Sequence, residues 1–303
     1  MADMTVKKKT KKPRKRALAP FPVIIYTIIV IWCVIFLGMF LWGVIQSFKD
    51  TTNFYYDKVG FPSAEYGWQF RNYSLVFKEV RILVNGRNVY LPEMLYNTMF
   101  YCIVYGLVSV IAPMMTSYVY AKYNKRVPWV KVVWVIVLIN LYVPLSASLG
   151  ASLRLAMRMG YYNNLYLLIF AMTSGFNGNF LIYFATWKGL SWEFAEAAMI
   201  DGANPWKIFF KVMFPLTGNI FVVLLVTQIV AYWSDYQTPM VFLPAHPTLA
   251  YGVYMFQQSI SNGANFPPVQ IAALITVAIP ILALFLIFRK QMMSSLTVGG
   301  LKG

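Results

Sequence analysis

Val23–Ser47, VIIYTIIVIWCVIFLGMFLWGVIQS, contains no charged residue. A helix needs about 20 apolar residues to cross the hydrocarbon core of a bilayer, so this run is long enough to span one. A basic block precedes it: Lys7, Lys8, Lys9, Lys11, Lys12, Arg14, Lys15 and Arg16. Beside a span, such a block reads as a cytoplasmic tail, over 1–22, anchored to anionic lipid headgroups. A basic start and an apolar run also describe a secretory leader. Here the run exceeds the apolar region of about 7–15 residues that a leader carries, and no clear small-x-small exit follows it.

Composition extends this reading to the whole chain. The 303 residues are 59% apolar and 12% charged, about half the charged fraction of a globular domain. One water-soluble core cannot hide that much apolar surface, which makes the chain a polytopic membrane protein. Five further uncharged runs follow, at 94–121, 132–153, 159–187, 212–234 and 269–288, with Pro113, Pro144 and Pro280 as interruptions. The expected fold is therefore an all-α integral membrane protein with six transmembrane helices. The net charge of +16 is not a nucleic-acid signature, because no basic domain follows the N-terminal block.

The charges set the orientation. With the N-terminus inside, six spans put 1–22, 122–131, 188–211 and 289–303 on the cytoplasmic side, with 18 of the 26 Lys and Arg. The positive-inside rule then predicts both termini cytoplasmic. Arg154 and Arg158 are the discordant pair, on an interfacial helix or facing a water-filled cavity. Residues 48–93 and 236–268 fall outside. In the first of these, Ile82-Leu83-Val84, Asn85-Gly86 and Asn88–Leu91 read as a hairpin, since Asn-Gly suits the two positive φ values of a type I′ turn.

Catalytic and metal chemistry lack a constellation. Cys33 and Cys102 both lie inside apolar runs without a partner and read as inert core residues. His246 is a lone loop histidine. No catalytic residue set and no metal site emerge. No phosphate-binding G-x-x-x-x-G-K-[ST] loop occurs, so the chain does not bind ATP by that device.

Glu196–Pro215, EAAMIDGANPWKIFFKVMFP, lies between the fourth and fifth runs and reads as a helix–turn–helix. Ala197 and Ala198 keep the first limb thin. Asp201-Gly202-Ala203 breaks it. Asn204 is a strong N-cap, and Pro205 is pre-set for the first helical position. Trp206, Phe209, Phe210 and Met213 recur at i, i+3, i+4 and i+7, one apolar face of the second limb.

Glu196, Ala197, Ala198, Gly202 and Pro215 resemble the EAA loop of permease subunits of ATP-binding-cassette importers. The likeness reaches from about Val23 to Gly303. Asn72-Tyr73, Asn97-Thr98, Tyr120-Ala121-Lys122 and Trp233-Ser234-Asp235-Tyr236 with Pro239 resemble recurring positions of carbohydrate-importer permeases. The tail Leu296–Gly303, LTVGGLKG, resembles that of the shorter of the two maltose-importer-type permeases. Ser295 stands where the family more often has Gly, and Ser234 where Asn is commoner. The Asn85-Gly86 hairpin is an addition to the compact family pattern.

The resemblance implies a type I importer permease in the bacterial cytoplasmic membrane. Its coupling loop, over 191–215, would dock into an ATPase through Glu196, Ala197, Ala198, Asp201, Gly202 and Pro215. Gly299, Gly300, Lys302 and Gly303 would add a tail contact. The implied partners are a homologous second permease, two ATPase subunits that bind the ATP and Mg, an extracytoplasmic solute-binding protein and membrane lipid. This chain itself would hold no cofactor.

Polar groups inside spans are costly unless they face a cavity or another helix. Asn179 and Tyr183 are i, i+4 neighbours in run four, which also carries Asn177. Gln228, Tyr232 and Asp235 share one face of run five, with Trp233 adjoining. Amides and aromatic faces suit a transient path for sugar, and these are the substrate-path candidates. Interfacial aromatic belts and helix-joining amides explain the same residues equally well. Two other functions stay open: an importer permease for a polyamine, phosphate or peptide, and an ion-coupled secondary transporter. The second would need intramembrane carboxylates and inverted repeats; only Asp235 is available, and no internal repeat is seen. The topology predicts that a cysteine at position 86 reacts with an impermeant thiol reagent from outside, and one at 202 from the cytoplasm. The opposite labelling of either would overturn it.

Overall fold

The computed structural model describes residues 20–123, 132, 134–135, 137–139, 149–260 and 266–298. The basic block, Lys125, Arg126, Lys131, Pro144 and the tail residues Gly299, Gly300, Lys302 and Gly303 lie outside the described residues.

Helix α1, Pro20–Ser47, is unbroken. Its most apolar stretch buries nothing inside the chain. Lipid tails are as apolar as leucine, so a helix that is apolar all round gains nothing by choosing one face to bury. Cys33 is consequently exposed on α1, not a core residue as expected, whereas Cys102 is buried.

Past Ser47 the chain ties a polar knot. Helix α2, Thr51–Tyr56, is capped by Asp50, whose carboxylate accepts the Thr52 N–H at 2.8 Å. Lys49 is fully buried. Its ammonium donates to the Asp57 carbonyl and lies 3.7 Å from the Asp57 carboxylate. N–H bonds from Gly60 and Val59 hold the Asp57 carboxyl below its usual range. Helix α3, Arg71–Glu79, returns Asn72 to the same place. The Asn72 amide donates to the carbonyls of Ser47 and Lys49 at 2.8 and 2.9 Å.

The hairpin forms as expected. Strands β1, Arg81–Val84, and β2, Arg87–Tyr90, pair antiparallel with Ile82 opposite Val89. Asn85 and Gly86 have φ of 49° and 80°. Ile82, Val84 and Val89 point into a core with Val76, Val80 and Met94, while Arg81, Leu83 and Arg87 point out.

Helix α4, Leu91–Tyr123, contains the second run, with a π turn at Tyr101–Tyr105 and Pro113 inside it. Helix α5, Leu149–Arg158, carries Arg154 and Arg158 one turn apart, both exposed. The run 159–187, expected as a single span, is divided. Helix α6 covers Leu168–Met172 and α7 covers Gly178–Gly189. The break has local causes: Asn177 caps α7 by accepting the Asn179 N–H at 3.0 Å, and Gly160 and Asn163 take positive φ before α6. Hydropathy is blind to both devices.

Helices α8, Glu193–Ile200, and α9, Pro205–Leu216, form the helix–turn–helix. Helix α10, Gly218–Ser234, leaves α9 at 79°. The fifth run, expected to start at Val212, is thus straight only from Gly218. The bend falls at Thr217, beside Pro215, where the Thr217 hydroxyl caps the Phe214 carbonyl at 3.0 Å. Helices α11, Gln237–Phe242, α12, Leu249–Ile260, and α13, Pro267–Val298, complete the described chain. Among the described residues three helical stretches are long and apolar enough to cross a membrane: Phe21–Ser47, Leu91–Tyr123 and Pro267–Met293; the bent α9–α10 pair makes a fourth.

Helix α4 runs between α7 and α10, and α13 packs against α10, α1 and α3. Helices α4 and α10 approach closely at Gly106, where a Cβ would lie 3.3 Å from Ile229 Cγ1. Side-chain hydrogen bonds then tie one segment to another. Asn97 donates to the Pro247 carbonyl at 3.0 Å, and Thr98 accepts the Leu249 N–H at 2.8 Å. Thr116 holds the Gly175 carbonyl at 2.6 Å, and Trp233 the Val277 carbonyl at 3.0 Å. A buried carbonyl left without a donor costs about 1–3 kcal/mol. Asn72→Leu, which strands the carbonyls at the end of α1, should therefore lower the thermal midpoint of the detergent-solubilised protein. An unchanged midpoint would mean that the knot adds no stability.

Candidate functional site

The helix–turn–helix is held from behind. Where α7 ends, the Lys122 ammonium donates to the Leu190 carbonyl at 2.6 Å and sits 5.8 Å from the centre of the Trp192 ring. Glu193 and Glu196 occupy the first turn of α8, where carboxylates favour the positive helix end. Gly202 closes α8 with φ of 75°. Its N–H bonds to the Met199 carbonyl and that of Ala203 to the Ala198 carbonyl, at 3.0 and 2.9 Å, the paired bonds of a glycine C-cap. Asn204 starts α9, accepting the Lys207 N–H at 2.8 Å.

The single apolar face expected on the second limb is split. A π turn at Phe209–Met213 inserts one extra residue per turn. Ile208, Phe209 and Met213 turn inward onto Tyr118, Tyr183 and Trp187. Trp206 and Phe210 turn outward and stack on each other, ring centres 6.1 Å apart. With Phe194 and Ile200 they form an exposed apolar surface around Glu196, Ala197, Asp201 and Gly202, all exposed; Ala198 is half-buried and Pro215 exposed. A Cβ on Gly202 would meet no other atom within 4 Å. An apolar cavity of about 320 Å³ opens beside this surface, lined by Met115, Tyr118, Tyr123, Pro205, Trp206 and Phe209 among others. Exposed apolar patches of this kind mark contact surfaces.

The substrate-path candidates fall on both sides of α4. On the α7 side, the side-chain amides of Asn177 and Asn179 both donate to the Ser109 carbonyl, at 3.2 and 3.3 Å. Tyr183 is fully buried, 6.4 Å from Trp187 between ring centres. On the α10 side, Tyr232 packs edge-on against Tyr101 and Tyr105, at 5.1 and 6.1 Å. Asp235 accepts the Tyr101 hydroxyl at 3.0 Å and the Thr238 N–H at 3.0 Å. Gln228 is half-buried on α10. Trp233 turns away from this group, into the core with α13.

Tyr101 and Tyr105 were not legible as a site. They sit within an uncharged run, at a π turn, and both rings pack against Tyr232. Their i, i+4 spacing was the one available signal. Among the described residues, no group of three or more His, Cys, Asp or Glu could hold a metal ion.

No protein-family model matches the chain. A probable ABC transporter permease protein of Pyrococcus horikoshii is 30% identical over 165 residues, which are 54% of this chain and 60% of that relative's length. The diacetylchitobiose uptake system permease protein of Streptomyces coelicolor is 23% identical over 288 residues, 92% of this chain and 88% of that one. Permeases named for sugars and oligosaccharides recur among other relatives. A solved chain of a bacterial ABC transporter involved in import of the acidic polysaccharide alginate superposes with a TM-score of 0.71 at 18% identity, covering 93% of this chain and 99% of that one. The fold resembles that of the solved ABC transporter chain, and many of the relatives are named as sugar ABC transporter permeases.

Among the described residues the Tyr183 hydroxyl has no hydrogen-bond partner. Removing an unsatisfied buried hydroxyl loses no bond. Tyr183→Phe should keep or raise the thermal midpoint, and a fall would reveal a partner. Loss of uptake at unchanged stability would assign the hydroxyl to the solute.

Proposed function

We propose that this chain is the permease subunit of an ATP-driven, binding-protein-dependent importer carrying a sugar, of oligosaccharide size, across the bacterial cytoplasmic membrane. The observation that carries the reading is the helix–turn–helix. Its outer surface presents Glu196, Ala197, Gly202, Trp206 and Phe210, while Ile208, Phe209 and Met213 root it in the core formed with α4 and α7. A surface made to be gripped is thereby joined rigidly to helices of the membrane domain. The likeness to sugar-importer permeases over most of the chain supports the solute class.

In this scheme six spans keep both termini cytoplasmic. The chain pairs with a homologous permease above two ATPase subunits, which bind and hydrolyse the ATP with Mg. It is non-catalytic and holds no cofactor. An extracytoplasmic binding protein delivers the sugar, meeting outer surfaces within residues 48–93 and 236–268. Closure of the ATPases pushes α8 and α9, and the buried Phe209 and Met213 pass the displacement to Tyr118 and Trp187. The Gly299–Gly303 tail makes a second ATPase contact. Asn179, Tyr183, Gln228, Tyr232, Trp233 and Asp235 are the candidates for the sugar's path. Ion coupling is the weaker reading, because the Asp235 carboxylate is engaged by Tyr101 and Thr238. A polyamine or peptide permease would share the coupling loop but not the solute class of the relatives.

Glu196 would meet a basic ATPase residue, and losing one partner of a buried interfacial charge pair costs on the order of 2–5 kcal/mol. Gly202→Asp adds bulk and charge to the exposed turn in a backbone conformation that a Cβ strains. The purified complex bearing Gly202→Asp should insert its spans and hydrolyse ATP but fail to take up sugar. Normal uptake would refute the coupling role.

A further inference from the structure

The segment that follows α2 folds back along α1. Trp42, Gln46 and Lys49 point to it from successive turns of one side of the helix end. The Trp42 indole donates to the Lys58 carbonyl at 2.8 Å, the Gln46 amide to the Gly60 carbonyl at 3.3 Å, and the Lys49 ammonium to the Asp57 carbonyl. From within the turn, the Asp57 carboxylate accepts the N–H groups of Val59 and Gly60 at 3.0 and 2.8 Å. The Asp57 N–H itself bonds to the Asn53 carbonyl at 2.9 Å. A Cβ on Gly60 would overlap the Asp57 carboxylate and push it from its place against the Gly60 N–H.

Depth follows from helix geometry. Trp42 lies five residues before the end of α1, which at 1.5 Å per residue is roughly 7 Å back along the axis. Side chains on a helix lean toward its N-terminus, which takes the contact further back. The turn therefore does not rise away from the helix end. It descends beside it, to the level where a span of this length leaves the hydrocarbon and Trp residues gather.

At that level the turn displays apolar side chains. Tyr56 is 88% exposed, Val59 80% and Phe61 68%. A loop in water has no need to satisfy its carbonyls from a helix, because water hydrates them. A loop among lipids has no such solvent and must satisfy them internally. Internal bonding of the Asp57, Lys58 and Gly60 carbonyls together with outward apolar side chains is the combination a lipid environment favours. Lys58, the one exposed cation of the turn, has a stem long enough to carry its charge to the headgroups.

We propose that the Tyr56–Phe61 turn is a membrane anchor, inserting Tyr56, Val59 and Phe61 into the interface of the leaflet in which α1 ends. It fixes the height of α1 and of the polar knot around Lys49 and Asn72, and through α3 the height of the hairpin. The anchor rests only on α1 crossing the bilayer, and it stands whichever solute is carried.

The test uses the complete transporter in lipid nanodiscs, with Cys33 and Cys102 replaced by alanine. Tyr56→Cys, Val59→Cys and Phe61→Cys are each labelled with a nitroxide, and collisions with oxygen and with a water-soluble nickel chelate are compared. These side chains are exposed, so the substitutions remove no internal packing, and the three sites report independently. The expected result is severalfold greater accessibility to oxygen than to nickel at all three. Nickel accessibility equal to or above that of oxygen would place the turn in water and overturn the proposal. Low accessibility to both would place it under a protein partner, such as the second permease or the binding protein, and would overturn it equally.

Discussion

Everything in this structure depends on the need to satisfy backbone polar groups where water is absent. A helix does so by itself along its length. Wherever a helix breaks, carbonyls are released and a donor must come from elsewhere. Here the donors are single side chains reaching across from other segments. Lys122 serves Leu190, Tyr105 serves Leu165 at 2.9 Å, and Asn72 serves the end of α1. Apolar packing alone would not choose one arrangement of these helices, since lipid competes for every apolar face.

This constraint gives physical meaning to scattered sequence features. Asn72, Asn97, Thr98, Lys122 and Trp233 belong to short strings that resemble positions of carbohydrate-importer permeases. Each of them makes a bond to the backbone of a distant segment. Their common property is a bond that ties one segment to another, which is a structural task whatever the solute. The substrate-path candidates share that character in part. Asn179 holds the Ser109 carbonyl, and Asp235 is held between Tyr101 and Thr238. A sugar seeking hydroxyl partners on this chain would compete with bonds already made.

The two π turns stand at places of the same kind. One, at Tyr101–Tyr105, brings two tyrosines onto Tyr232. The other, at Phe209–Met213, turns Phe209 and Met213 inward and leaves Trp206 and Phe210 outside. In each, one added residue in a turn changes which side chains share a face. The second is what joins the exposed face of the helix–turn–helix to the core: without it, the spacing of Trp206, Phe209, Phe210 and Met213 would place all four on the same side.

By itself the sequence determined the features with local causes. The uncharged lengths of α1, α4 and α13 follow from the absence of charge over a span's worth of residues. The hairpin follows from Asn85-Gly86, and the second limb of the helix–turn–helix from Asn204-Pro205. The turn before that limb follows from Gly202, whose φ of 75° is the conformation a missing Cβ allows. Only the tertiary structure decided which apolar residues face protein and which face lipid. In a chain that is 59% apolar, both environments accept the same side chains, so the period that marks a buried face in a soluble helix is lost. For the same reason the exposure of Cys33, the division of 159–187, the meeting of Tyr101 with Asp235 and the burial of Lys49 were not legible. Each is settled by a partner far away in the chain, and hydropathy carries no record of partners.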